Sequence, residues 1–304
     1  MFQRTFVKGR FTLAVMGVLA AVAWAVLPPP TSWMTLLGFL ACAFCVYLLA
    51  ELNNSFALLR VSSRTISCML VLMLMPVTML HELQTGHLLL LFGVLVYFPL
   101  LAIYQRPWAT TLVFLAFLTL SVASVAFPPL LYFVPVCWVS MVLLRAMSLR
   151  AWMASLLGLV TPYCFVATWA YCTDQLPRVS EYLLEGLSVD FPDYSSWTLL
   201  YYIVAALALL HFGIGAVEFL VNKHQDKTRT RFHYYTVLLH GCATFLWLLI
   251  QPQHFQFIFP LCIVNAALFS GHFTALCLGR VQNIIVILLF LFTLAACVVA
   301  AAPF

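Results

Sequence analysis

The sequence predicts an all-α protein, a polytopic transmembrane helical bundle of about 11 spans (10–11), with the N-terminus cytoplasmic and the C-terminus outside. Three observations carry that prediction. Of the 304 residues, 65% are hydrophobic and 8% charged, against roughly 25% charged in an ordinary soluble domain. Apolar runs long enough to cross a bilayer recur along the whole chain, separated by short breaks. Basic residues crowd into alternate breaks. A mean hydropathy of +1.07 agrees. Fourteen basic and nine acidic residues cannot give a chain of 34.2 kDa a polar skin. A soluble enzyme, a disordered protein and a nucleic-acid-binding domain are thereby excluded.

A span needs about 20 apolar residues. Eleven segments qualify: 11–27, 33–50, 66–80, 86–104, 108–127, 129–144, 151–171, 198–221, 234–250, 255–278 and 281–302. The first follows Arg4, Lys8 and Arg10, as a signal peptide would. It ends at Pro28-Pro29-Pro30 without a small-x-small cleavage site, so it reads as a retained helix. The third and sixth are short. Only Phe127-Pro128-Pro129 separates the fifth from the sixth, so residues 108–144 form either two full spans or a re-entrant pair. The chain reads as a single integral-membrane domain over 1–304, with seven spans in 1–171, an outer loop at 172–197 and four spans in 198–304.

With the N-terminus inside, every one of the 14 basic residues except Arg178 falls on the cytoplasmic side. Six of the nine acids (Glu82, Asp174, Glu181, Glu185, Asp190 and Asp193) fall outside. This is the positive-inside bias of a bacterial inner membrane protein. Trp33, Trp108, Trp152 and Trp197 stand at span ends, where aromatic belts form. In the outer loop, Tyr182, Leu183 and Leu187 against Glu181 and Glu185 suggest a short interfacial helix capped by Gly186. The inner stretch 222–233 is basic and is expected as a loop touching anionic headgroups.

Most of the ten cysteines lie in apolar runs and read as small hydrophobes, including the Cys42/Cys45 pair. No GxSxG, HExxH or P-loop occurs. Two constellations stand out. Between Glu51 and Thr65, Asn53, Asn54, Arg60 and Arg64 lie in a segment expected as an amphipathic surface helix. It either holds to lipid phosphates or clamps a phosphate headgroup bidentately. In the C-terminal spans, His211 and Glu218 are seven residues apart on one face, and His240 and His272 are expected at similar depth. Ionisable groups inside a membrane are costly and mark functional sites. Convergence of His211, His240 and His272 would suit a haem or metal ion. Separate neutral histidines bonded across helices account for them equally. Asn265 and Asn283 read as interhelical bonds. An outer-face glycan polymerase is disfavoured, because Arg178 is the only outer cation available for a diphosphate.

Residues 51–163 carry a further pattern: Glu51-Leu52-Asn53-Asn54-Ser55-Phe56, Arg64-Thr65, Tyr104-Gln105-Arg106, Ala126-Phe127-Pro128-Pro129-Leu130-Leu131, Leu143-Leu144-Arg145 and Thr161-Pro162-Tyr163. This resembles a Bacteroidota polytopic inner-membrane family catalogued as domain of unknown function 6427. The resemblance implies an inner-membrane location and supplies no activity or catalytic residue. Where that family places an acid beside the tryptophan of a Ser-x-Arg-x-Trp segment, this chain has Ser148-Leu149-Arg150-Ala151-Trp152-Met153.

Three functional readings follow. The first is a non-enzymatic component or accessory subunit of an envelope-biogenesis complex, with membrane lipids and other inner-membrane proteins as partners. The second is a carrier or lipid-handling protein with a polar site in the C-terminal helices. The third is an enzyme acting on a polyprenyl-phosphate at Arg60 and Arg64. The topology is tested by single cysteines placed in a chain carrying Cys172→Ser. Ser180→Cys is expected to react with a membrane-impermeant maleimide on intact cells, and Thr228→Cys only after permeabilisation. The reverse order overturns the assigned orientation.

Overall fold

A computed structural model describes residues 2–27, 33–188, 191–277 and 279–301. Pro28-Pro29-Pro30, Asp190 and the C-terminal Ala302-Pro303-Phe304 lie outside the described residues. Helices follow one another with no strand among the described residues. Among the described residues, seven helices are long and apolar enough to cross a membrane, and shorter apolar helices accompany them.

The chain begins with a short helix, α1 (Phe2–Lys8), then α2 (Thr12–Val26) and α3 (Trp33–Phe56). The ten-residue α4 (Thr65–Leu74) follows. The expected span at 66–80 breaks here because Pro76 has no N–H to continue the helical ladder, although Met75 itself keeps helical dihedrals. The irregular turn is buried in protein, where such backbone is tolerated. α5 (Thr85–Leu95) and α6 (Tyr97–Ala102) make one bent rod. α7 (Thr110–Ala126) and α8 (Val134–Leu143) are joined by a 3-10 turn, Pro128–Phe133. α9 (Leu149–Cys172), α10 (Leu176–Gly186) and α11 (Leu199–Asn222) lead to α12 (Thr228–Ile250), α13 (Phe255–Leu276) and α14 (Arg280–Ala301).

Three helices close on a left-handed residue that is not glycine, and Gln105 past α6 takes a positive φ of 56° as well. Ala57, Arg145 and Asp174 take positive φ of 47°, 55° and 55° just past α3, α8 and α9. The following amides reach back to the carbonyls of Asn53, Met141 and Ala170, closing Schellman turns. α10 is the amphipathic helix that the spacing suggests, but Gly186 does not cap it: Gly186 is its last helical residue, set against Pro128, and Leu187 is the cap. Beyond it, the Ser195 amide and hydroxyl donate to Asp193 and hold that carboxyl below the usual range.

α13 is the centre of the molecule. Residues 258–275 are all buried, enclosed by α4, α5, α11 and α12. Its 22 residues are enough, at the rise of an α-helix, to cross a hydrocarbon core. Close approach sets the packing. A Cβ on Gly215 of α11 would lie 2.5 Å from the Phe269 carbonyl, and one on Gly271 of α13 would lie 2.5 Å from the Ile66 Cα. These are the small-residue contacts that let apolar helices meet backbone to backbone. The neighbouring pair α7 and α9 meets through Gly158 and through Ser121, which donates to the Leu159 carbonyl at 2.6 Å.

Contacts between connections fall into two groups that share no residue. In one, Gln3 donates to the Thr274 and Cys277 carbonyls, Ser63 to Val7, Gln105 to Leu144 and Ser148 to Pro107. Arg145 also lies over the Phe232 ring. In the other, Leu83 donates to Met34, Tyr182 to Ala126, Tyr132 to Leu187, Tyr194 to Leu249 and Trp197 to Pro252.

Two expected elements are corrected. The Glu51–Thr65 segment is not a surface helix: α3 runs through Asn53 and Asn54 to Phe56, and a non-helical connection follows. The basic stretch 222–233 is not a loop: α11 reaches Asn222, a 3-10 turn covers Lys223–Gln225, and α12 starts at Thr228. The fold predicts opposite outcomes for two glycines of α11. Gly215→Ala, which meets backbone, is expected to destabilise by about 1–3 kcal/mol. Gly213→Ala, with nothing within 4 Å, is expected to be neutral or stabilising. Thermal unfolding in detergent checks both.

Candidate functional site

The longest polar chain in the bundle runs through the end of α13. His272 Nδ1 lies 3.1 Å from Glu218 Oε2 on α11, and Nε2 lies 3.3 Å from Asp226 Oδ2 in the turn before α12. Asp226 Oδ1 pairs with Arg60 Nε at 2.9 Å. Arg60 comes from the α3–α4 connection and also donates to the Gln225 carbonyl and side chain. The second Glu218 oxygen accepts from Cys277 Sγ at 2.9 Å and Asn222 Nδ2 at 3.2 Å. Tyr234 and Phe219 set their rings edge-on to His272, with centroids at 4.5 and 5.8 Å.

Burial orders the chain. Side-chain exposure is 33% at Arg60, 1% at Asp226, 1% at His272 and 8% at Glu218. The path thus starts at a half-open guanidinium and descends into the bundle. A neutral imidazole carries one N–H. Both nitrogens face carboxylates, so both bonds form only with an imidazolium or with a protonated carboxyl. With the imidazolium, Arg60, Asp226, His272 and Glu218 sum to zero formal charge. A buried network is tolerable only when its charges cancel and its lone pairs are used.

Glu218 also borders a groove of about 680 Å³ between α11 and α14. Leu209, Gly213, Val217, Phe273 and Ile285 give it apolar walls. Its polar residues, Glu218, Asn222 and Gln282, are a carboxylate and two amides.

The expected site residues separate into three sets. Glu218 and His272 join, and Arg60 joins them through Asp226. His211 lies elsewhere, with Nδ1 2.8 Å from Ser270 Oγ and Nε2 3.2 Å from Thr293 Oγ1. His240 bonds Ser140 at 2.9 Å and lies beside the Tyr97 and Phe133 rings. The expectation of equal depth for His240 and His272 is corrected. α12 begins at Thr228, not at Tyr234 as expected, so His240 stands several helical turns along it, near its middle. His272, by contrast, belongs to the closing turns of α13, which ends at Leu276. His211, His240 and His272 therefore do not converge on a haem or metal ion. Among the described residues no group of three or more His, Cys, Asp or Glu could hold a metal. His211 and His240 act as cross-helix bonds.

The headgroup set divides as well. Asn53 is buried, donating to the Ser63 carbonyl and accepting from the Leu59 amide. It shapes the turn and has no free face for a ligand. Asn54 and Arg64 are exposed, Arg64 at the N-cap of α4, and Arg60 is neutralised by Asp226. Asn265 and Asn283 are interhelical bonds, accepting from Tyr97 and from the Gln3 amide. Asp226, Cys277 and Tyr234 were not foreseen as members of the site. One signal was available: Asp226 is the only acid in a turn containing Lys223, Lys227, Arg229 and Arg231.

Comparison of the chain with protein-family models, curated proteins and solved structures finds no match. The class that fold and site define is a helical, membrane-like protein with an ionic chain at one end of its central helix.

Breaking that chain from the inside is expected to cost most. Asp226→Asn leaves His272 and Arg60 short of a counter-charge and is expected to destabilise by about 3–5 kcal/mol. Arg60→Ala removes a partly solvated partner and is expected to cost less. Unfolding in detergent, compared between the two variants, checks the order.

Proposed function

We propose that the protein is an eleven-pass carrier or lipid-handling protein of a bacterial inner membrane, whose polar site is the Arg60–Asp226–His272–Glu218 chain. One observation carries the reading: a buried imidazole bridges two carboxylates, and one of these borders an elongated apolar groove. Intramembrane ionisable groups usually line a substrate or proton path, because their desolvation is otherwise unrepaid.

The contact pattern supports the pass count. The two groups of connections are visited alternately from Gln3 to Cys277, which makes ten passages, and α14 adds one. The turn around Pro128 belongs with Tyr182 and Leu187, favouring two full passages over a re-entrant pair at 108–144. All basic residues except Arg178 lie at or next to the connections of the group containing Gln3 and Ser63, which supports a cytoplasmic N-terminus.

An accessory role in an envelope complex rests on the broad apolar faces of α3, α9 and α14, and lipid alone covers such faces equally well. A polyprenyl-phosphate enzyme at Arg60 and Arg64 has less support, because Arg60 is committed to Asp226. The test is transbilayer movement of fluorescent amphiphiles in proteoliposomes. Wild-type protein is expected to accelerate it, and His272→Asn and Asp226→Asn to return it to the protein-free rate. Ser140→Ala, which frees His240 alone, is expected to retain it. Equal rates with and without wild-type protein overturn the carrier reading.

A further inference from the structure

We propose that the α11–α14 groove binds cationic amphiphiles, an ammonium group on a long apolar chain, in exchange for the proton held by His272. The inference rests on the carrier reading and names its substrate class.

Charge complementarity selects the ligand. The groove is apolar along Leu209, Gly213, Val217 and Ile285, and its one charged residue is Glu218. No Lys, Arg or His is among its lining residues. An alkyl chain fits the walls and an ammonium meets the carboxylate, with Asn222 and Gln282 as neutral neighbours. A phosphate-headed lipid would face the Glu218 charge instead. The groove on the opposite flank of α14 is different, because Arg10 borders it beside Phe6, Met16 and Leu294.

Charge balance then couples the ligand to a proton. The groups facing His272 are Glu218 from α11, Asp226 from the turn before α12, Tyr234 from α12 and Cys277 past α13 through Glu218, with Arg60 behind Asp226. With His272 charged, the chain is neutral. An ammonium entering beside Glu218 raises it to a net positive charge in a poorly solvated setting, which is unfavourable. Neutrality returns when the His272 Nε2–H bond breaks and its electron pair stays on nitrogen. The proton passes to Asp226 Oδ2, 3.3 Å away. From there it leaves to water at the exposed Arg60 end. One cation enters, one proton leaves, and nothing is oxidised or reduced. His272 Nδ1–H remains bonded to Glu218.

The experiment measures binding of decylammonium to the full chain in phosphatidylcholine nanodiscs, with empty discs subtracted, between about pH 6 and pH 8. One-proton exchange is expected to tighten apparent affinity by up to about tenfold per pH unit. A weakly buffered sample is expected to release about one proton per ligand bound. Glu218→Gln is expected to abolish both. Gly213→Phe fills the groove where nothing lies within 4 Å of the glycine, so it is expected to block binding while leaving thermal stability unchanged. Binding that is independent of pH, or that survives Glu218→Gln, overturns the exchange. Decanol and decanoate separate the two levels. If they bind as well as decylammonium and Gly213→Phe blocks them, the cation class is wrong while the carrier reading stands. If Gly213→Phe blocks none of the three probes, the substrate class and the groove's part in the carrier reading both fall.

Discussion

The structure depends on one constraint: a helix sealed inside a bundle needs internal partners for its polar side chains, which Asn265, Ser270 and His272 find and the Thr274 hydroxyl, among the described residues, does not. α13 is that helix, buried from Ile258 to Ala275. Its Asn265, Ser270 and His272 reach, respectively, Tyr97 of α6, His211 of α11, and the Glu218/Asp226 pair. Each bond fixes a neighbour in rotation and height, which apolar contact alone does poorly between uniformly oily surfaces. Gly215 brings α11 close enough for its bonds to form, and Gly271 does the same for α4, whose Thr65 donates to the Gly271 carbonyl. The polar side chains Asn265, Ser270 and His272 thus stand level by level along α13, and only the last level carries formal charge.

That last level differs in kind from the others. A hydroxyl–imidazole pair such as Ser270–His211 satisfies valence and needs no counter-charge. An imidazole between two carboxylates has alternatives in where its protons sit, and each alternative changes the charge of the site. Arg60 offsets the excess negative charge from the α3–α4 connection, at the point where the chain meets water. The site is therefore assembled from four separate parts of the sequence. It also borders an apolar groove, so a change of charge there can be felt by whatever occupies that groove.

Much of the fold was legible in the sequence, because hydropathy reports burial in lipid directly. Apolar helices lie in the predicted apolar segments, though the one at 66–80 stops at Leu74, and the break at Phe127-Pro128-Pro129 and an amphipathic helix at Leu176–Gly186 both appear. Element ends were less legible. Polar residues that read as loop, such as Asn53-Asn54-Ser55 and Thr228 to His233, continue helices, since helical propensity is not lost where hydropathy falls. The site was half legible. His211 and Glu218 face α13 as their seven-residue spacing requires, and Glu218 and His272 do meet. The pairing of Arg60 with Asp226 was not, because the partners lie in distant parts of the chain and no local pattern announces the contact. The idea of three converging histidines failed for a geometric reason: the earlier start of α12 moves His240 toward the middle of the bundle.

The protonation state of His272 tests the account most directly. Nitrogen-15 spectra of histidine-labelled protein in nanodiscs, with His272→Asn providing the assignment, resolve whether one or both ring nitrogens carry hydrogen. The account predicts an imidazolium at neutral pH, with both nitrogens protonated, that reverts to a single-proton ring in Asp226→Asn. A neutral single tautomer in the wild-type protein, unchanged when Asp226 is replaced, would contradict it.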